Sequence, residues 1–553
     1  MSDSYRPADT SRPVREVTTG EVLRRAAGAA PARTALVEAA PPGATLTGVP
    51  AGDRTWTYAE LLTDAEHAAA WLGDRFTPGE HIAVWAPNVP EWIVLQYGAA
   101  LAGLVLVTAN PALRENELEY LLRQSRAAGI LHTGAFRGTD MTTALQHVHP
   151  RLPALRETIT LTGWLDRIRA TPPRPTPRVA PGDPAQIQYT SGTTGVPKGA
   201  LLHHRGLVTN AAFAAGRAGF PDGGVWASAL PLFHTAGCGL AVLGTAQAAG
   251  TLVLAQSFQP DLVLSAIQDR RATLFGGVPA MFAALLAHPG FDSYDLSACD
   301  IIASGGDAAP AALIEAAERR FGARFSTVYG QTELSPVLTQ TGPGDTAEDR
   351  RTTAGRPLWQ AEVKIADPSS GAVLPTGQAG EICARGHQLM LEYHDMPEQT
   401  AATIDTDGWL HTGDLGTMDE RGYVRVTGRL KDMIIRGGEN IYPPEIELAL
   451  TRHPGVTAAA VVGVPDPRWG EQVAAVITPA ADPPTAAELH DHLRAVLAPH
   501  KTPRHWYVAD ALPANAWARH RSSSCAARSP TAHSPNSPDP PVNPYLLNAV
   551  LRA

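Results

Sequence analysis

Short apolar runs alternate with helix-patterned segments through most of the first four hundred residues. HIAVWAP at 81–87 and LVLVTAN at 104–110 are continuous apolar runs of strand length, the pattern of strands covered on both faces. RENELEYLLRQS at 114–125 carries the 3.6-residue period of an amphipathic helix. The longest apolar stretch, Trp92 to Val107, contains Gln96, Gly98 and Gly103. It is too short to span a bilayer comfortably and predicts a buried helix leading into a strand. Such alternation predicts α/β layers with largely parallel strands.

A chain of 553 residues exceeds what one hydrophobic core usually supports, so two or more domains are expected. The proline-rich segment Thr171–Pro184 reads as a surface connection. A second boundary falls near Gly428–Lys431. Beyond it come an apolar run (Asp432–Ile435), the Gly437-Gly438 turn, the helix-like PPEIELALTRHP and the strand-like VTAAAVVGVPD. Pro443-Pro444 suits a helix start, where the missing N–H costs nothing. The expected organisation is a flexible segment 1–18, a large α/β domain 19–428, a small α+β domain 429–516, and an irregular tail 517–553. That tail, with RHRSSSCAARSPTAHSPNSPDPPVNP, has too little apolar content to fold alone.

Composition narrows the function. With 44% hydrophobic and 18% charged residues the chain is ordinary globular protein. The net charge of −9 is diffuse and no lysine or arginine run marks a nucleic-acid track. The four cysteines (238, 299, 383 and 525) lie far apart without a Cys-x-x-Cys pair, which argues against a zinc site or disulfide framework. MSDSYRPADTSRPVREV has no apolar core after its charges and is no secretory signal, so a cytoplasmic location is expected. A homodimer is compatible with all of this.

The chemistry concentrates in Tyr189-Thr-Ser-Gly-Thr-Thr-Gly-Val-Pro-Lys-Gly199. Thr190, Ser191, Gly192, Thr193, Thr194 and Gly195 can turn N–H groups and hydroxyls around a phosphate, with Lys198 as a point charge. It is not a Walker A loop, which needs Gly-Lys-Ser/Thr; Lys198 follows Pro197 and precedes Gly199. In Tyr329-Gly-Gln-Thr-Glu333 a ring can stack on a purine, a hydroxyl can meet a phosphate and a carboxylate can hold a hard cation. Asp414 and Arg429, in HTGD and GR, can accept from and donate to the two hydroxyls of a ribose. Asp307, in Ser304-Gly305-Gly306-Asp307, can serve as a helix N-cap before AAPAALIEAAERRF or as a ligand contact. His234, in PLFH, reads equally as a hydrogen-bonded core histidine or a functional one.

From about residue 20 to 513 these segments, in this order, resemble the adenylate-forming superfamily of acyl-CoA synthetases, peptide-synthetase adenylation domains and luciferases. The resemblance implies a large domain with a small barrel-like subdomain, followed by a small mobile domain. It implies that Tyr329, Gly330 and Gln331 flank adenine, that Thr332 meets the α-phosphate and that Glu333 binds Mg²⁺. Gly305, Gly306 and Asp307 would cover the adenine, and Asp414 and Arg429 would hold the ribose. His234 would gate the acyl site and Lys431 would be the hinge. Gly437 and Gly438 would line the path of a pantetheine arm. The implied reaction uses ATP, Mg²⁺ and CoA to convert an aliphatic (medium-chain) or aryl acid first to an acyl-adenylate and then to a thioester. Alternatives are transfer to a carrier protein, an amine or another nucleophile, or a catalytically impaired ATP-binding homologue.

One departure stands out. The family closes on a Gly-Lys turn whose lysine reaches the reacting groups, yet no lysine follows Lys501 here. LAPHKTPRHWYVADALPANA at 497–516 is regular, and then Trp517-Ala-Arg-His-Arg follows. Ala-Trp-Ala-Arg can be encoded GCA TGG GCA AGG. One base inserted after the first two letters gives GCN ATG GGC AAG G, which reads Ala-Met-Gly-Lys. A one-base shift of frame just before Trp517 is therefore expected, with crippled adenylation as its consequence. The alternative is a natural ending in which another residue, such as Arg519, substitutes.

Overall fold

A computed structural model describes residues 2–41, 54–190, 196–436, 439–466, 468–480 and 483–512. The runs at 81–87 and 104–110 form the parallel strands His81–Trp85 and Val105–Ala109. They belong to a seven-stranded sheet in the order Glu392–Tyr393, Lys198–His203, Pro184–Thr190, Val105–Ala109, His81–Trp85, Gly129–His132, Glu157–Thr160. Its last five strands run parallel; Lys198–His203 and Glu392–Tyr393 are antiparallel additions at one edge. The apolar stretch after Trp92 is the helix Pro90–Leu101, every residue of which is buried. Its missing amphipathicity follows from cover on all sides. Glu115–Gln124 is the expected amphipathic helix.

A nine-stranded sheet has at its centre the parallel strands Arg324–Gly330, Ile301–Gly305, Leu274–Gly277, Val225–Ser228, Thr251–Ala255 and Thr34–Ala39, in that spatial order. Antiparallel strands close both edges. A third sheet has five strands, in the order Tyr5–Arg6, Ala361–Ala366, Gly380–Gly386, Leu410–Met418, Val424–Arg429. The first 18 residues, where flexibility was expected, make specific contacts. Tyr5 and Arg6 pair with Lys364 and Val363, the Tyr5 phenol donates to Glu362 Oε2 at 2.7 Å, and Thr18 caps the helix Thr19–Ala29.

The chain divides into two compact units, one built of residues up to 364 with 383–412 and 418–425, the other of 365–382, 413–417 and 426 onward. In the second unit the strands Val456–Asp466 and Gly470–Pro479 form a long hairpin, with Ile434–Arg436 and His505–Val508 beside Gly470–Pro479. The helices Pro443–Thr451 and Ala486–Val496 cover it through Ile446, Leu450, Leu489 and Leu493. Pro443 and Pro444 occupy the first turn, as the sequence predicts. Among the described residues no helix is long and apolar enough to cross a membrane.

Candidate active site

The strands Pro184–Thr190 and Lys198–His203 run antiparallel, with Thr190 opposite Lys198 and Tyr189 opposite Gly199. The two ends of the glycine-rich loop therefore stand side by side. Ser191, Gly192, Thr193, Thr194 and Gly195 lie outside the described residues. Gly199 is needed where it is, because a Cβ there would lie 2.9 Å from the Ile187 side chain and 3.2 Å from Tyr189. The loop's base is braced from the helix Glu115–Gln124. The Tyr189 phenol sits between the Leu121 carbonyl and Gln124 Oε1, and the Tyr120 phenol donates to the Pro197 carbonyl at 2.8 Å. Burial pushes the Tyr189 phenol up, so it stays a donor.

The strand Arg324–Gly330 carries Tyr329 and Gly330 at its end, and Gln331 leads into the 3₁₀ turn Thr332–Leu334. Only glycine fits at 330: a Cβ would stand 1.9 Å from the Pro336 carbonyl oxygen. That tight crossing buries Thr332 and Glu333 at 8% and 7% exposure. Glu333 Oε1 accepts from the Tyr393 phenol at 2.7 Å and from Thr190 Oγ1 at 3.3 Å. Its backbone carbonyl accepts from Met390 N–H at 2.8 Å. Lys198 Nζ lies 4.3 Å from the centre of the Tyr393 ring, a cation–π contact. Burial first, and then the Glu333 charge, push the Tyr393 phenol up. Thr190, Lys198, Glu333 and Tyr393 thus converge from four segments on one point. Neutral hydroxyls hold the carboxylate without cancelling its charge, which leaves a hard anionic oxygen donor of the kind Mg²⁺ takes.

His234 lies half-buried between Pro231 and the π-helical turn Ala236–Ala241. Its Nδ1 accepts from Ala236 N–H at 3.2 Å, which assigns the proton of the neutral ring to Nε2. Gly305 ends the strand Ile301–Gly305, where a Cβ would lie 2.6 Å from the Val328 carbonyl oxygen, and Gly306 has φ +82°. Asp307 corrects one expectation. It caps no helix: the helix begins at Ala311 behind Pro310, and Asp307 Oδ1 accepts from its neighbour Ala308 N–H at 2.8 Å. Proline disfavours the helical region for the residue before it, so the helix starts at Ala311, four residues beyond the aspartate.

In the second unit Asp414, in the strand Leu410–Met418, faces Arg429, the last residue of Val424–Arg429; Asp414 Oδ1 and Arg429 Nε are 3.4 Å apart. Lys431 is exposed on the 3₁₀ turn Leu430–Asp432. Gly437 and Gly438 lie outside the described residues. Sequence reasoning missed Tyr393 and Gln124. Tyr393 lies 60 residues from its Glu333 partner, and Gln124, whose Nε2 donates to the His394 carbonyl at 2.6 Å, lies 270 away. No local pattern marks either; sheet pairing brings Tyr393 to the loop, and the helix Glu115–Gln124 carries Gln124 there.

Two family models match the chain. The model of the AMP-binding enzyme matches residues 23–394, and that of the AMP-binding enzyme C-terminal domain matches 445–518. The chain belongs to the AMP-binding enzyme family. It is 39% identical over 469 residues to feruloyl-CoA synthase of an Amycolatopsis species, covering 84% of this chain and 92% of the relative. It is 34% identical over 492 residues to the rat mitochondrial medium-chain acyl-CoA ligase ACSF2, covering 82% of this chain and 80% of the relative. Among solved structures, ATP-bound MatB from Rhodopseudomonas palustris superposes with a TM-score of 0.81 at 28% identity, covering 91% of this chain and 97% of that one.

Proposed function

We propose that this AMP-binding enzyme is an ATP-dependent carboxylate–CoA ligase acting on an aliphatic medium-chain or an aryl acid. The carrying observation is the Glu333 carboxylate, held by Thr190 and Tyr393 beside Lys198 at the mouth of the glycine-rich loop. The names of two relatives, one acting on an aryl and one on a medium-chain acid, support the substrate range.

In the first half-reaction the acid's carboxylate oxygen attacks the α-phosphorus of ATP, and pyrophosphate leaves. Lys198 supplies positive charge where the transferred charge collects, and Thr332 donates to an α-phosphate oxygen. Glu333 would hold Mg²⁺, which when bound neutralises phosphate charge. Tyr329 stacks on adenine; Asp414 and Arg429 bind the ribose hydroxyls, and Lys431 marks the hinge. In the second half-reaction the CoA sulfur attacks the acyl carbon and AMP leaves.

Pyrophosphate release from a panel of straight-chain and aryl acids, with and without CoA, tests the reading. Acid-dependent pyrophosphate together with a CoA thioester is the expected result. Pyrophosphate with thioester absent but hydroxamate formed from an amine would move the acceptor away from CoA. ATP binding with no pyrophosphate from any acid would overturn the reading.

A further inference from the structure

The segment that carries His234 is fastened to the strand that feeds the glycine-rich loop by a buried polar seam. Cys238 is fully buried, and Gln96, Gln186 and Gln188 are each 2% exposed. Gln188 Nε2 donates to Cys238 Sγ at 3.0 Å and to Gln186 Oε1 at 2.8 Å. The Cys238 thiol in turn has two acceptors at 3.4 Å, Gln186 Oε1 and the His234 carbonyl. Two further bonds fix the same turn from other sides: Thr108 Oγ1 donates to the Phe233 carbonyl at 2.8 Å, and Gln96 Nε2 to the Cys238 carbonyl at 2.9 Å. Burial raises the thiol to about 12, so it keeps the proton these contacts need.

The backbone around Cys238 is unusual in the way that such a seam explains. Residues Ala236–Ala241 form a π-helical turn, a form rare enough to persist only where tertiary contacts impose it. Gly237 is pressed against the preceding segment, where a Cβ would stand 2.2 Å from the Pro231 carbonyl oxygen. Side chains on a strand alternate faces, so Gln186, Gln188 and Thr190 share one face of Pro184–Thr190. Thr190 uses that face to reach Glu333, and Gln186 and Gln188 use it to reach Cys238. Thr108, the register partner of Gln188 in the neighbouring strand, reaches the same turn.

We propose that Gln186, Gln188 and Cys238 are positioning residues for the acyl half of the substrate: they set His234 and its π turn in register with the strand that aligns Glu333. This rests on the acid–CoA ligase reading, in which His234 gates the acyl site. A shift of the π turn moves the acyl side of the site while leaving the Thr190–Glu333 contact in place. Loss of the seam therefore weakens the acyl moiety selectively and spares the nucleotide.

The test is direct binding, by calorimetry, of ATP and of an octanoyl and a cinnamoyl sulfamate analogue of the acyl-adenylate, to the full chain and to Cys238→Ala, Cys238→Ser and Gln188→Leu. Because binding needs no turnover, an impaired catalytic step does not obscure it. In Cys238→Ala and Gln188→Leu, affinity for at least one acyl analogue should fall about 10-fold, with ATP within about two-fold of the parent. Cys238→Ser, which keeps a donor, should recover most of the loss. Equal losses for ATP and analogue, or no loss in variants that melt as the parent does, would overturn the seam alone. A variant that fails to fold is replaced by Thr108→Val, read against the same two outcomes. A parent chain that binds the analogues no more tightly than adenosine sulfamate overturns the ligase reading, and the seam's role with it.

Discussion

Two of the carboxylates that the sequence singles out, Glu333 and Asp414, are held differently. Glu333 is 7% exposed, and its Oε1 is fixed by two hydroxyls from separate strands, with Lys198 over the Tyr393 ring. In the second unit Asp414 is largely covered, yet Arg429 is 51% exposed on its side chain and the pair meets at only 3.4 Å. The first arrangement is preorganised: its dipoles are already aimed, so aligning them costs little at the moment of reaction. The second is an open pair in which water screens the attraction, so it contributes little until a ligand displaces that water. On the proposed reading, the first pattern serves chemistry and the second ligand capture.

The contrast can be broken or sharpened by substitution. The largest effect is expected from the reading frame. A one-base insertion after the second letter of the Ala516 codon should restore Ala-Met-Gly-Lys and raise acid-dependent pyrophosphate release by roughly 10²–10³ over the present chain. An unchanged rate, or a resequenced gene with no Met-Gly-Lys in the neighbouring frame, would leave Arg519 or another residue as the natural substitute. Next, Glu333→Gln should lower kcat by about 10²-fold while ATP still binds, read by stopped-flow and nucleotide titration. Tyr393→Phe removes one of the two hydroxyls but keeps the ring under Lys198. A loss of roughly 5–20-fold in kcat/KM is expected, and a loss equal to that of Glu333→Gln would mean Tyr393 itself contacts substrate.

For the open pair, Arg429→Gln should raise the KM for ATP about 3–10-fold and leave kcat nearly unchanged. A kcat loss as large as that of Glu333→Gln would erase the distinction drawn above. The smallest effect concerns stability. Burial lowers both His204 and His387 to about 4, so they are neutral in the folded first unit. The unfolded chain takes up those protons near the ordinary histidine value of about 6.5. Stability from these two residues is therefore complete above that value and is lost as pH falls from about 6.5 toward about 4. The melting temperature should drop by a few degrees over that window, and His204→Gln should flatten the slope; an unchanged slope would mean His204 does not contribute.

The strand and helix pattern was readable because buried strands show as unbroken apolar runs, and His81–Trp85, Val105–Ala109 and Pro90–Leu101 lie where those runs are. Tyr329–Glu333 was legible as a candidate because close backbone approach demands glycine at 330 and hydroxyl and charge stand beside it, whereas Ser191–Gly195 of the glycine-rich loop lie outside the described residues. Tyr393 and the Gln186–Gln188–Cys238 seam were not legible. Glutamine and tyrosine carry no positional signature, and their partners are separated from them by 50 to 60 residues or more. The misplaced helix start at Asp307 has a simpler cause: Asp307 precedes a helical pattern as N-caps do, but Pro310 intervenes.

The short strand Tyr5–Arg6 has a consequence for how the molecule is made. Tyr5 leaves the ribosome well before the carboxylate that receives its hydroxyl, which lies 357 residues later. At ordinary elongation rates of roughly 5–20 residues per second, that partner arrives about 20–70 s afterwards. Until then the opening segment has no strand to join. It closes as a latch over a first unit whose two large sheets have by then been almost wholly synthesised.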